Sequence, residues 1–281
     1  MPEPVLTNEQ FKRHYQENDW ESCWAAKIDT NFIPLDDEYR GRLEGTIQLI
    51  VGRPKRILDI GCGIGLYDIA MAKALPDSRI TAMDISAKQL ELGKELAKKA
   101  DVAPNIEFLP GDAEKFNLDE KFDLIVCTEV LEHFVKPETV LNNIYRHCHT
   151  DTQIIFSVPQ YYGTGPGLYY RACLPNGQMV EDQDKRKIPP NCEVHEFFHD
   201  AYTPKRLKMF LKKNNFIPQK LTGAVYSPFR ETPLYKLNVF VQTFDRLIRK
   251  LNHLKIFPDQ LSDWITCHRH AAILLASCKI T

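Results

Sequence analysis

Short apolar runs alternate with segments of helical periodicity between Lys55 and Pro159. The runs RILDI, RITAMDI, IEFLP, FDLIVCTEV and QIIFSVP are separated by stretches such as LYDIAMAKAL, AKQLELGKELAKKA and ETVLNNIYRHC. Strands that alternate with helices are typical of βαβ units, in which the strands are parallel and the crossovers are right-handed. The pattern predicts an α/β fold with a doubly wound sheet.

One segment of different composition precedes the region of alternating strands and helices, and two others follow it and separate the last predicted elements. Residues 1–54 predict a helical N-terminal cap, since Glu38–Ile50 has apolar groups at helical spacing. The remainder, 55–281, predicts one domain with lid insertions at about 160–202 and 228–266. A helix in TPKRLKMFLKKNNF and two further strands, IPQKLTGAVY and AAILLASCKI, complete a Rossmann-like, mostly parallel sheet of seven strands.

The charge and the cysteine content narrow the functional classes. Among 281 residues, 36 Lys and Arg nearly cancel 37 Asp and Glu, so the net charge of -1 offers no global attraction to nucleic acid. The 8 cysteines stand singly without a CxxC pair, as in reduced cytosolic proteins, and no zinc-type spacing occurs. Neither a signal peptide nor an apolar run of bilayer length is recognisable. We therefore expect a cytoplasmic protein that acts on a small molecule.

The stretch RILDIGCGIG, residues 56–65, joins a predicted strand to a predicted helix through alternating glycines. Glycines let the backbone approach a ligand closely, and the helix that follows offers free amides and a partial positive charge. The dinucleotide fingerprint GxGxxG would require a glycine where this chain has Leu66. The turn alone indicates a nucleotide-like ligand without identifying it.

Polar residues follow the next three strands at the same edge of the predicted sheet. Asp84 closes RITAMD, where a carboxylate can accept from both hydroxyls of a ribose. Asp112 follows the third strand and can accept from an adenine amino group, and Thr128 and Glu129 end the fourth strand. Because ligands of open α/β sheets bind at the carboxyl ends of the strands, these groups predict an adenosine-containing ligand.

With these residues in place, the chain resembles the class I S-adenosylmethionine-dependent methyltransferases, and within them the ubiquinone/menaquinone-biosynthesis type. The resemblance rests on LDIGCGIG, Asp84, GDAEKF and EVLEHF in that order, and on VHEFFHDAYTPKRLKMFLKKNNF after the fifth strand. It covers roughly residues 50–227. One departure is Asn215, where members often have glycine, although asparagine also tolerates a left-handed helix end.

The resemblance implies S-adenosylmethionine as the cofactor and assigns its contacts. The residues assigned are Asp59, Gly61, Cys62, Gly63, Gly65, Asp84, Ile85, Asp112, Ala113, Thr128 and Glu129. Three of these have structural alternatives. Asp59 can cap the amides of the glycine loop instead of contacting the methionine amino group, Cys62 can simply fill the turn, and Asp112 can form a turn after a Pro-Gly pair.

His133 and His195 are the candidate general bases. His133 follows the fourth strand, where a near-neutral imidazole can accept the proton of a hydroxyl that attacks the methyl group. The alternative is a structural histidine that caps the next helix or orients the loop. Glu129, Glu132 and His133 could together hold a divalent cation, but we expect no metal in the site.

HEFFH, residues 195–199, also matches the HExxH string of zinc proteases. That motif needs a helix, on which both histidines share one face. This segment instead lies in a loop-like, proline-bounded insertion that lacks an obvious third ligand. We interpret the match as coincidental and expect His195 on the acceptor side of the site.

Together these features predict methyl transfer to a small molecule, with O-methylation of a hydroxyl or phenol of a natural product, quinone or lipid-like metabolite as the first choice. N- or C-methylation uses the same fold, and an NAD-dependent oxidoreductase or a non-catalytic S-adenosylmethionine-binding scaffold are more distant alternatives. The amphipathic pattern within 228–266 leaves open a core helix, a pocket cover, a homodimer face or a peripheral membrane contact. Aromatic residues of the insertions suit an apolar acceptor pocket or a lid core, and they are Tyr161, Tyr162, Tyr169, Tyr170, Phe197 and Phe198.

Overall fold

The fold is described by a computed structural model that covers most of the predicted domain. The described residues are 16, 37–160, 167–173, 179–182, 195–226 and 271–281, and side chains are described within 39–160, 200–224 and 273–281. The segment 228–266 and the pair Tyr161–Tyr162, to which the sequence assigns roles, lie outside these residues.

Helices and strands alternate along the chain as the hydrophobic pattern predicts. The strands are β1 Arg56–Ile60, β2 Arg79–Asp84, β3 Ile106–Pro110, β4 Phe122–Thr128, β5 Cys148–Pro159, β6 Gly167–Cys173, β7 Met179–Asp182, β8 His195–His199, β9 Phe216–Tyr226 and β10 Ala271–Ile280. The helices are α1 Asp37–Leu49, α2 Leu66–Ala74, α3 Ala87–Lys99, α4 Pro137–Arg146 and α5 Pro204–Lys213, with short 3-10 helices at Ala103–Asn105 and Leu131–His133.

Seven of these strands form one sheet in the order β3-β2-β1-β4-β5-β10-β9. Strands β1 to β5 are parallel, and β10 runs antiparallel to both β5 and β9. Successive strand residues alternate between two apolar layers: Ile57 packs with residues of α1, α2 and α3, and Leu58 with residues of α4 and α5. The Rossmann-like, mostly parallel seven-stranded sheet with helices on both faces is therefore confirmed.

Helix α1 is tied to the sheet by one buried glutamine of β5. The Gln153 side-chain amide donates to the Leu49 carbonyl at 2.7 Å and to the Ser277 hydroxyl at 2.7 Å. Its oxygen accepts from the Val51 amide at 2.9 Å. Because these contacts satisfy the last turn of α1 and link it to β5 and β10, the helix lies in a defined position beside the sheet.

Strands β6, β7 and β8 form a separate three-stranded antiparallel sheet, which we call the small sheet, in the order β7-β6-β8. HEFFH is strand β8, so the expectation of a loop-like segment is wrong; β8 is held by its pairing with β6, from Gly167 opposite His199 to Arg171 opposite His195. Along a strand the two histidines are about 13 Å apart, whereas one helical turn would bring them together. The helical zinc-protease motif is therefore absent from this segment.

Candidate active site

The polar groups predicted to meet at one sheet edge do so. The glycine loop Gly61–Gly65 follows β1, Asp84 ends β2, Asp112 follows β3 and Glu129 follows β4. Because these four strands are parallel, their carboxyl ends share one edge of the sheet. The strand ends thus form a continuous polar rim above the apolar core.

The glycine loop is held to β2 by backbone hydrogen bonds. The amides of Gly61 and Cys62 donate to the Met83 carbonyl at 2.8 and 3.0 Å. The Gly63 amide donates to Asp84 Oδ2 at 2.8 Å. The three loop glycines have φ of 73°, 56° and 74°, the left-handed region that favours glycine. The loop conformation is therefore stabilised by the protein's own backbone hydrogen bonds.

Two of the three glycines are also required by packing. A Cβ on Gly61 would collide with the Val130 side chain, and one on Gly65 would lie 2.8 Å from the Phe108 ring. A Cβ on Gly63 would meet only the side-chain oxygen of Gln89, at 3.0 Å. Sequence reasoning attributed all three glycines to ligand approach, whereas Gly61 and Gly65 also let neighbouring apolar side chains pack against the loop.

Asp84 organises the start of helix α3 as well as the loop. Its Oδ1 accepts from the Ser86 amide at 2.8 Å, and the Ser86 hydroxyl caps α3 by accepting from the Gln89 amide. Burial raises the pKa of Asp84, and the backbone hydrogen bonds of Ser86 and Gly63 oppose that rise. Each carboxylate oxygen has a second lone pair, so the side chain can still accept from a ligand hydroxyl.

Asp112 forms the turn that sequence analysis offered as its alternative role. Its Oδ1 accepts from the Glu114 amide at 2.9 Å, and its carbonyl accepts from the amides of Lys115 and Phe116 at 2.9 Å each. The adjacent Ala113 carbonyl accepts from the Asn143 side chain at 3.2 Å. A structural role for this loop is therefore established, and a contact with adenine stays a prediction.

Glu129 is held by two side chains that sequence analysis did not identify. Arg42 of α1 donates from Nη1 to Glu129 Oε2 at 3.0 Å, and the Ser157 hydroxyl of β5 donates to Oε1 at 2.8 Å. The Glu129 amide donates to the Ser157 carbonyl at 3.1 Å, and its φ is 55°. Beside it, Thr128 is buried at the end of β4. The ion pair brings α1 to the site, and residues 42 and 129 are too far apart in the chain for any local signal to reveal it.

His133 ends the 3-10 helix after β4. Its Nε2 lies 3.7 Å from Glu132 Oε1, and the two side chains are 15% and 1% exposed. Within the part of the chain that the structure describes, no three His, Cys, Asp or Glu side chains are arranged to hold a metal ion. Glu129 points its carboxylate to Arg42 and Ser157, whereas the Glu132 carboxylate lies beside His133.

The end of β8 is fixed to this 3-10 helix through Asp200. The Asp200 amide donates to the Glu132 carbonyl at 2.9 Å. Arg206 donates from Nη1 and Nη2 to the two carboxylate oxygens of Asp200, and its guanidinium lies 4.7 Å from the centre of the Tyr202 ring. His199 directly precedes Asp200 and so lies at this junction, whereas His195 is about 13 Å further along the strand. The anchoring pair was not identified from the sequence.

Asp59 lies in β1 just before the glycine loop, and Cys62 is the second residue of the loop. The loop amides donate to Met83 and Asp84, so the alternative role of Asp59 as a cap for these amides is wrong. Cys62 is buried in the turn, and burial raises its pKa well above the ordinary thiol value, so it stays protonated. Ile85 is partly buried after β2, next to Asp84.

Comparison with known proteins identifies the same fold and chemistry. Residues 53–215 match the family described as "Methyltransferase domain". The mitochondrial ubiquinone biosynthesis O-methyltransferase of Schizosaccharomyces pombe is 28% identical over 178 residues, which are 63% of this chain and 60% of that protein. The enzyme of that name from Dechloromonas aromatica is 27% identical over 235 residues, 80% of this chain and 90% of that protein. A glycopeptide N-methyltransferase solved with S-adenosyl-L-methionine shares the fold, with a TM-score of 0.54 at 14% identity, over 88% of this chain and 95% of its own.

Proposed function

The chain belongs to the methyltransferase domain family, and we propose that it transfers a methyl group from S-adenosylmethionine to an oxygen of a small-molecule acceptor. The observation that carries the proposal is the shared rim of the glycine loop, Asp84, Asp112 and Glu129 at the carboxyl ends of four parallel strands. The ubiquinone O-methyltransferase relatives favour a hydroxyl or phenol of a quinone, natural product or lipid-like metabolite over N- or C-methylation.

The residues at the rim fit this cofactor by their own chemistry. Three of the five loop residues lack a Cβ atom, so the backbone can approach a ligand closely. No described side chain caps the start of α2, where first-turn amides and the helix dipole favour a carboxylate. In the proposed assignment the loop, with Asp59, holds the methionine part, Asp84 and Ile85 the ribose, and Asp112 and Ala113 the adenine. Thr128 and Glu129 close the site at the end of β4.

Direct displacement requires little covalent chemistry from the protein. The bound cofactor supplies an electrophilic methyl carbon on a sulfonium. The rim residues would orient the cofactor, and the acceptor side would align the acceptor oxygen and exclude water; such alignment is the main source of rate in displacement reactions. His133, which lies close to Glu132 and is mostly buried, accepts the acceptor proton in this proposal, and His195 is a second candidate.

The small sheet is the proposed acceptor side. Tyr169 pairs with Phe197 across β6 and β8, and paired residues share one face of a sheet. An aromatic face next to the carboxyl rim suits an aromatic or apolar acceptor. The sequence of 228–266 supports two finer proposals, a homodimer face and a peripheral membrane contact, because it is rich in regularly spaced apolar residues.

A cytoplasmic location is part of the same proposal. Cys62, Cys127, Cys148 and Cys278 are free and buried, which agrees with a reduced compartment. Within the described residues, no helix has the length and apolarity needed to cross a membrane.

The function is tested by ligand binding and then by transfer. S-adenosylmethionine and S-adenosylhomocysteine should each raise the melting temperature of the protein, and NAD should leave it unchanged. Incubation with isotope-labelled cofactor and a cell extract, resolved by mass spectrometry, should then identify an acceptor that gains one methyl group on oxygen. Stabilisation by NAD alone would contradict the proposal, and labelling on nitrogen or carbon would correct the acceptor class.

A further inference from the structure

Two aspartates lie side by side beneath the glycine loop, and no described lysine, arginine or histidine forms an ion pair with either of them. Asp59 is in β1 and Asp68 in the first turn of α2, and they are 1% and 0% exposed. No side chain of the described residues donates a hydrogen bond to any of their four carboxylate oxygens. The two carboxyls are close enough to bond to each other once one of them carries a proton.

A buried pair of this kind retains a proton near neutral pH. Removing a carboxylate from water without a hydrogen-bond donor is costly, and a second negative charge beside it adds repulsion. Burial is the main cause that raises the pKa of both Asp59 and Asp68. The charges of Asp68 and Asp84 raise the pKa of Asp59 further, whereas the hydrogen bond with Asp59 lowers the pKa of Asp68 and so opposes part of its rise. One carboxyl therefore donates to the other, and the pair titrates as a unit.

The surrounding groups do not neutralise the pair. Tyr39 of α1, Tyr67 of α2, Cys62 of the loop and Cys127 of β4 face it, and burial raises the pKa of each, so all are uncharged at neutral pH. The nearest other charge is the carboxylate of Asp84. Arg42 of α1, whose charge acts on the neighbouring Tyr39 and Tyr67, is paired with Glu129. The local charge balance thus lacks one positive group.

A ligand placed on the glycine loop would bring the missing charge. In the proposed function the glycine loop would hold the methionine part of S-adenosylmethionine, which carries an ammonium and a sulfonium, and a low-dielectric surrounding would strengthen their attraction to Asp59 and Asp68. We propose that Asp59 and Asp68 share a proton beneath the loop and release it to solvent when the cationic cofactor binds, which makes Asp68 a positioning residue for the positive charge. A product that lacks the sulfonium charge would attract the pair less strongly and so would displace less of this proton.

This inference rests on the proposed function, and proton release tests it separately. Calorimetric titration of the full chain with S-adenosylmethionine, in buffers of different ionisation enthalpy from about pH 6 to about pH 9, measures the protons released on binding. The Asp68→Asn variant supplies a side-chain amide that donates to Asp59 but cannot titrate. Asp119→Asn, at an exposed position, is the matched control. Because the amino group of the cofactor titrates in the same range, the measured quantity is the difference between wild type and variant.

We expect wild type and Asp119→Asn to release more protons than Asp68→Asn and to gain affinity with rising pH by up to about tenfold per pH unit relative to it. The release should be smaller with S-adenosylhomocysteine, which lacks the sulfonium. If Asp68→Asn fails to fold, Asp59→Asn replaces it, since it supplies the same donor from the other side. Equal proton release in wild type and variant overturns the inference alone. Absence of S-adenosylmethionine binding in every protein overturns both the inference and the proposed function.

Discussion

The glycine loop and the small sheet border the same site but are held in different ways. The loop connects two elements that are adjacent in the chain, and backbone bonds to β2 fix it. The small sheet reaches the rim through β8, whose end is held by Asp200 and Arg206. A conserved small molecule such as a cofactor can be bound by a local turn, whereas the acceptor side depends on contacts between distant segments.

The largest expected effect is on the turnover number, from a substitution of His133 between the glycine loop and the small sheet. Replacing His133 with alanine should lower the turnover number about 10²- to 10⁴-fold, because the acceptor proton loses its base. The dissociation constant for S-adenosylmethionine should stay unchanged. His149→Ala is the control, since that imidazole contacts Asp123 at the opposite end of β4.

The variants His195→Ala and His199→Ala then compare the two ends of β8. The quantity measured is the methyltransfer activity on the acceptor identified by labelling. Full activity in His133→Ala, with cofactor binding intact, would contradict its role as base. A larger loss at position 199 than at position 195 would place the acceptor next to the anchored end of the strand.

A second substitution tests how rigidly the cofactor side is built. Gly61→Ala should lower the free energy of unfolding for two reasons. An alanine in the left-handed region costs about 1–2 kcal/mol, and the collision of its Cβ with Val130 costs about 1–3 kcal/mol more. Gly52→Ala has the same backbone requirement, at a φ of 74°, but its Cβ would meet nothing within 4 Å. Urea unfolding of both variants separates packing from backbone strain. If both variants lose the same free energy of unfolding, Val130 moves aside and the packing contributes nothing.

The smallest expected effect tests the acceptor side alone. Arg206→Ala leaves the carboxylate of Asp200, 9% exposed, without its partner, and we expect kcat/KM for the acceptor to fall about tenfold. Affinity for S-adenosylmethionine should not change, because the loop is held independently. The exposed pair of Arg79 and Glu107 provides the control, and Arg79→Ala should have little effect. A parallel loss of cofactor affinity in Arg206→Ala would show that the two regions are coupled.

The cofactor side was readable from the sequence because its signals are local. The apolar periodicity located β1 to β5 and the helices between them, and α/β geometry then placed Asp84, Asp112 and Glu129 at one edge. Asp68 was missed at this edge, although one acidic residue within the apolar stretch LYDIAMAKAL was a usable signal.

The acceptor side was harder to predict because its contacts are distant along the chain. HEFFH becomes a strand by pairing with β6. Its own sequence has two adjacent phenylalanines among three polar residues and no strict alternation, so it does not distinguish a strand from a loop. Arg42 and Glu129 are 87 positions apart, and Gln153 is 104 positions from Leu49. The hydrophobic periodicity of the sequence does not indicate contacts between residues so far apart.

The sequence by itself determined the doubly wound fold, the turn for the cofactor and the order of polar strand ends, because hydrophobic periodicity and backbone conformation act over a few residues. Only the tertiary structure decided that Gly61 and Gly65 accommodate Val130 and Phe108 and that Glu129 binds Arg42. It also decided that Asp59 and Asp68 meet where no other described side chain bonds to their carboxylates. These features depend on which surfaces pack together and on how much water they exclude, and both are properties of the assembled core.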